Sequence, residues 1–118
     1  MTTHYSTNKS GAVISNNLSA VTTATSGDAL EVRDFTHKTV FVKVSANTGA
    51  VTVNVEISES GDSGTWSAIG GAYLPKTYTA ANTSDEDSFD IRTHAPFMRT
   101  RTSTQSASSV TTRITGGN

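Results

Sequence analysis

The chain has 118 residues, a formal net charge of −1 and no cysteine. That length makes one domain. The near-neutral charge removes the long-range attraction that nucleic-acid or anionic-membrane binding relies on, and without cysteine there is no disulfide framework, thiolate metal site or cysteine nucleophile.

Val, Ile, Phe and Leu contribute only 10, 5, 4 and 3 residues, whereas Thr and Ser contribute 21 and 16. Threonine is β-branched, so it suits a pleated surface and loses rotamer freedom in a helix. The composition therefore points to an all-β domain. Residues 1–19 read as a flexible polar arm whose apolar island, Val13 and Ile14 with Ala12, is too small to offset its own ordering entropy. The arm lacks the basic-then-apolar order of a signal peptide, and no uninterrupted apolar run in the chain exceeds three residues. A soluble protein made in the cytoplasm is expected, with no membrane span.

From residue 20 short strands alternate with turn signals. A strand over 29–35 follows Gly27-Asp28. Over 39–45, Val40, Val42 and Val44 share one face and Phe41 and Lys43 the other. Asn47-Thr48-Gly49 then leads into 50–58, where Val51, Val53, Val55 and Ile57 alternate with Thr52, Asn54, Glu56 and Ser58. Two period-two runs around an Asn/Gly turn predict a β-hairpin. A second tight turn over 60–64 leads into a strand over 65–69, which Gly70-Gly71 breaks. Residues 73–80 read as extended, with Pro75 demoting the start to an edge. An acidic loop is expected over 82–87, then strands over 88–93, with Phe89 and Ile91 inward, over 97–104 and over 109–115. The sum is a single antiparallel β-sandwich of jelly-roll-like form over 20–115, with eight or nine short strands, no helix and a tail over 116–118.

Few motifs carry chemistry. Gly61-Asp62-Ser63-Gly64 is similar to the nucleophile segment of chymotrypsin-like serine proteases, but a triad needs three positioned groups, and two glycines with an Asp also make a tight turn. The longer segment 58–66 resembles the Asp-box turn of sialidase-type propellers, a turn device, with Trp66 opening the next strand as a core anchor. Asp85, Glu86 and Asp87, with Asp90, offer calcium ligands or a solvated loop. His4, His37 and His94 have no metal-ligand spacing. Arg92, Arg99, Arg101 and Arg113 cluster late in the chain, and Arg99 and Arg101, two apart, share a strand face. They read either as charges that blunt a sheet edge or as an interface to Asp85, Glu86 and Asp87 of a neighbouring copy.

The order of segments 39–44, 47–55, 58–66, 95–101 and 109–114 resembles the small β-sandwich proteins of tailed-phage virions, which include capsid decoration (cement) proteins and head or tail accessory modules. The resemblance implies a non-enzymatic structural role without a cofactor. It implies the major capsid protein or other virion proteins as partners, a homo-oligomer (often a trimer), and a place on the capsid surface. Val13, Ile14, Arg92, Arg99, Arg101, Arg113, Asp85, Glu86 and Asp87 are the candidate interface. The alternatives are a carbohydrate-binding module with Trp66, Tyr73 and Tyr78 as stacking rings, or a tail or fibre accessory module.

Overall fold

The computed structural model describes residues 4–5, 13–70, 74–79, 84–105 and 108–117. These residues form ten strands and no helix: β1 (His4–Tyr5), β2 (Val13–Val21), β3 (Leu30–Glu31), β4 (His37–Ser45), β5 (Val51–Ser58), β6 (Ser67–Ala68), β7 (Lys76–Tyr78), β8 (Asp85–Arg92), β9 (Phe97–Gln105) and β10 (Ser109–Gly117). They make two antiparallel sheets. The first, sheet A, has the order β1-β2-β10-β4-β8, and the second, sheet B, the order β3-β9-β5-β6, with β7 beside β6 along the same flank of β5.

Alternation sets which side each strand buries. On β4, Lys38, Val40, Val42 and Val44 are buried while His37, Phe41 and Lys43 are exposed. On β10, Val110, Thr112 and Ile114 are buried. They meet Val51, Val53 and Val55 of β5 and Met98 of β9 in one core, closed by Leu30, Val32, Phe35, Leu74, Tyr78 and Ile91. Burying these side chains is the main stabilising term.

The expected hairpin of 39–45 with 50–58 does not form. β4 pairs with β10 and β8, and β5 pairs with β9, β6 and β7. Residues 46–50 instead arch from one sheet to the other. Ala46 takes a left-handed φ of 52°. The buried Asn47 side chain donates to the Thr79 carbonyl at 2.7 Å and accepts from Gly49 N at 3.2 Å. A hairpin would lay the two valine rows side by side and leave both to be covered; the arch lets each cover the other. Period-two patterning satisfies either arrangement, and a five-residue connection does not impose a hairpin as a two-residue primed turn does.

Other boundaries also move. Residues 13–19, read as part of an arm, form most of β2, which pairs with β10 from Val21↔Val110 to Ile14↔Thr115. Its anchor is polar. Asn17 Oδ1 accepts from Thr100 N at 2.6 Å and Thr100 Oγ1 at 2.8 Å, and Asn17 Nδ2 donates to the Asp28 carbonyl at 2.8 Å. Thr100 and Thr112 hydroxyls bond to each other at 2.6 Å, and Leu18 N donates to Thr112 Oγ1 at 3.0 Å. This network ties β2 of sheet A to β9 of sheet B through fully satisfied buried groups, so threonine here is core material. The rest of the arm lies outside the described residues, β1 excepted. Gly116 and Gly117, expected in a tail, continue β10 opposite Lys38 and His37. The acidic segment 85–87, expected in a loop, is the start of strand β8.

The turn over 58–65 is local chemistry. Gly61 and Gly64 have φ of 79° and 82°, Ser58 Oγ accepts from Gly61 N at 2.9 Å, and the Asp62 carbonyl accepts from Thr65 N at 3.2 Å. The Gly-Asp-Ser-Gly motif is therefore a turn, as two glycines and an Asp allow.

Candidate functional site

On the outer face of sheet A, β4, the strand next to the β8 edge, carries Thr39, Phe41 and Lys43 outward. Phe41 lies opposite Arg113 of β10 and Ser88 of β8; Lys43 lies between Thr111 and Glu86, and Thr39 between Thr115 and Asp90. Phe41 is 45% exposed, the one exposed large hydrophobic side chain among the described residues. Beside it a shallow depression is walled by Lys43, Glu86, Thr111 and Arg113. The surrounding polar groups are held. Arg113 Nε donates to Asn16 Oδ1 at 3.1 Å, and Thr39 Oγ1 to Asp90 Oδ1 at 3.0 Å. Lys43 Nζ and Glu86 Oε1 stand 4.0 Å apart in solvent, where an ion pair adds little. Phe41 is absent from the candidate interface read from the sequence; the signal that could have found it is an aromatic on the polar side of an alternating strand.

The four arginines do not gather. Arg113 and Arg92 lie on sheet A, while Arg99 and Arg101 alternate with the buried Met98, Thr100 and Thr102 of β9 and so lie on the outer face of sheet B. There Glu56, with a side chain 10% exposed, holds both: Arg99 Nε donates to Oε1 at 2.8 Å and Arg101 Nη1 stands 3.8 Å from Oε2. The Arg99 guanidinium also lies 4.4 Å from the centroid of the Trp66 ring. Trp66 is thus a surface partner of Arg99 and takes no place in the core, contrary to the sequence expectation. Its face is a cation–π platform already occupied within the chain.

The stacking set is broken further. Tyr78 is fully buried, so it offers no ring face to a sugar, and Tyr73 lies outside the described residues. The Tyr78 hydroxyl instead donates to Asp87 Oδ2 at 2.7 Å, which Lys76 Nζ also reaches at 3.0 Å. The Tyr78 hydrogen bond first, and Lys76 with it, holds the Asp87 carboxyl below the usual carboxylate range; burial foremost, then Asp87, pushes Tyr78 up. Asp85 and Asp87 are half-buried and Glu86 is exposed. Among the described residues no three His, Asp or Glu side chains come together to hold a metal ion. Val13 and Ile14 sit on β2, opposite Tyr5 and His4. None of the described grooves gathers His37 with Asp62 and Ser63.

No protein-family model matches the chain, and no curated protein matches it by sequence. Its fold is similar to that of the SPBc2 prophage-derived protein YomS, at 11% identity, with 91% of this chain and 93% of that chain covered and a TM-score of 0.60. A carbohydrate-binding module of Cellvibrio mixtus lichenase 5A, solved with cellotriose, matches at 11% identity over 99% of this chain and 87% of that chain, with a TM-score of 0.44. The chain is an all-β sandwich of the kind seen in a prophage-derived protein. No helix among the described residues is long and apolar enough to cross a membrane.

Proposed function

We propose that this protein is a non-enzymatic structural component of a phage particle, a capsid decoration protein that seats on the head through the outer face of sheet A. The observation that carries the reading is Phe41. A 45% exposed aromatic on the outer face of sheet A, beside a depression walled by Lys43, Glu86, Thr111 and Arg113, adds nothing to the core and supports a protein surface as its cover. The fold likeness to a prophage-derived protein, over nearly the whole of both chains, supports the phage setting.

The partner in this reading is the major capsid protein, and the copies associate with one another, most simply as a trimer. Repetition over a shell lets many modest contacts act together, so no single contact has to be strong. No cofactor takes part. Quantitative mass spectrometry of washed particles, made from a genome that encodes the chain, tests the assignment. Many copies in the head fraction are expected; a chain that washes off entirely, or travels only with tails, overturns it. Light scattering of the free protein gives the mass, and a monomer at all concentrations would rule out the trimer.

A further inference from the structure

His37 at the start of β4 lies directly opposite Arg92 at the end of β8, and both side chains are exposed. Past Arg92 the chain leaves the strand, and Thr93 N donates to the Thr36 carbonyl at 3.3 Å, which keeps the segment after β8 beside the start of β4. A groove of about 300 Å³ forms there, lined by Thr36, His37, Arg92, Thr93 and His94. Every side chain in that lining carries a hydrogen-bond donor, and no carboxylate is among them. The neighbouring carbonyls are already engaged, that of Thr36 by Thr93 N and that of Thr93 by Lys38 Nζ at 2.7 Å. The Thr93 hydroxyl oxygen accepts from Ala95 N at 3.1 Å, which leaves its hydrogen free to donate. Asp90, two residues before Arg92 on the same strand, accepts from Thr39 Oγ1 at 3.0 Å. Arg92 differs from the other described cations. Arg33 stands 3.4 Å from Glu31, Arg99 and Arg101 are held by Glu56, Arg113 donates to Asn16, and Lys38, Lys43 and Lys76 each have an acceptor. Among the described residues Arg92 has neither a hydrogen bond nor an ion pair.

From this set we infer that the groove binds a phosphate group, carried by inorganic phosphate or by a small phosphate monoester. The Arg92 guanidinium supplies a fork of parallel N–H bonds to two of its oxygens. The imidazoles of His37 and His94 flank the anion, and the hydroxyls of Thr36 and Thr93 donate to the oxygens that remain. A tetrahedral anion takes donors from several directions, whereas the two oxygens of a carboxylate lie in one plane and are filled by the guanidinium alone. On the other side of His37, β10 carries Gly117, where an added Cβ would meet nothing within 4 Å. That flank has room for the rest of an ester. Phe41 does not line this groove, so the phosphate site is separate from the surface assigned to the capsid.

The test is a titration of the full chain, labelled for NMR, with sodium phosphate, methyl phosphate, sodium acetate and sodium chloride at constant ionic strength. Inorganic phosphate or methyl phosphate should shift the amides of 36–38 and 92–95 saturably at millimolar concentration, at least about ten-fold more tightly than acetate, while chloride leaves them in place. A response to both phosphates, or to one alone, tells whether the site takes the free ion, the ester or either. Arg92, His37 and His94 are exposed, so their variants should keep the core amide pattern. Arg92→Gln should weaken phosphate binding about ten-fold or more, and Arg92→Lys, which keeps the charge without the fork, should fall between it and the wild type. The double variant His37→Ala, His94→Ala should weaken it about five-fold or more. Arg113→Gln, outside the groove, should leave it unchanged. Acetate binding as tightly as phosphate, a phosphate response that survives Arg92→Gln, or no shift at millimolar concentration of either phosphate would each overturn the inference.

Discussion

Asn17 is one of the points at which the two sheets are tied, and its removal should be costly in a way that one neighbouring position exposes. The Asn17→Ala change deletes an acceptor for Thr100 N and Thr100 Oγ1 and a donor to the Asp28 carbonyl, at a residue 7% exposed. Three net hydrogen bonds at about 1 kcal/mol each, with the Thr100 N–H left buried, put the loss at about 3 kcal/mol. That is a large part of the roughly 5–15 kcal/mol that holds a domain folded. Gly27 reports on the same contact. A Cβ there would lie 1.9 Å from Asn17 Oδ1, and its three nearest atoms all belong to Asn17. Gly27→Ala must therefore displace Asn17 and lose the same bonds, again about 3 kcal/mol. With Asn17 already alanine the collision is gone, so Gly27→Ala should cost nothing or add about 0.5 kcal/mol by restricting the unfolded chain. Urea denaturation followed by circular dichroism on the four proteins gives the cycle. The double variant should resemble Asn17→Ala alone, a coupling of about 3 kcal/mol. Additive losses, or an Asn17→Ala cost under about 1 kcal/mol, would refute the idea that this amide fastens β2 to β9.

Tyr78→Phe removes the hydroxyl that donates to Asp87, so the Asp87 carboxyl should titrate closer to its ordinary range by NMR, with a stability loss of about 1 kcal/mol near neutral pH. Because Asp87 is held low in the folded state, that loss should be complete above the ordinary carboxylate range and fade as pH falls through the folded value; a difference constant from pH 7 to pH 2 would contradict it. Lys38 is 1% exposed, donates to the Thr93 carbonyl at 2.7 Å and is lowered by burial from its ordinary 10.5. Between the lowered folded value and 10.5 the unfolded chain holds a proton that the folded chain has released, so the wild type should gain on Lys38→Met as pH rises through that interval towards 10.5; parallel stability curves would contradict this. Glu56→Gln should cost about 1–2 kcal/mol by weakening its hold on Arg99 and Arg101, and should alter the fluorescence of Trp66, the single tryptophan, as the guanidinium leaves its ring. Unchanged emission would separate the ring from the ion pair.

How much was legible in the sequence depended on whether a signal was local. Alternation of Val40, Val42 and Val44 and of Val51, Val53 and Val55 fixed which sides those strands bury, and the glycines of 61–64 marked a turn. Pairing was not legible, because the same two valine rows serve a hairpin or an arch equally. The start of β8 was hidden for a different reason. Its core-facing row begins with Asp85 and Asp87, and what makes Asp87 acceptable there is Tyr78 and Lys76 on the other sheet. The fold of 13–19 rested on Asn17, a polar residue whose acceptor Oδ1 is met by Thr100, 83 residues along the chain. The arginines separate by facing: odd positions on β9 point away from sheet A, which requires knowing which sheet β9 joins. Trp66 follows a turn that resets the alternation, so no period carries its side across. Phe41 was missed although its signal is local: an aromatic between Thr39 and Lys43 on the polar side of β4.

The most direct test of the structural role is co-sedimentation of the purified protein with heads that lack it, comparing the wild type with Phe41→Asp. Phe41 lies outside the core, so the variant should stay folded, with a stability loss of about 1 kcal/mol from placing Asp in a paired strand. The account predicts saturable binding by the wild type and loss of that binding for the folded Phe41→Asp variant. Heads that take up both proteins alike, or neither, would contradict it.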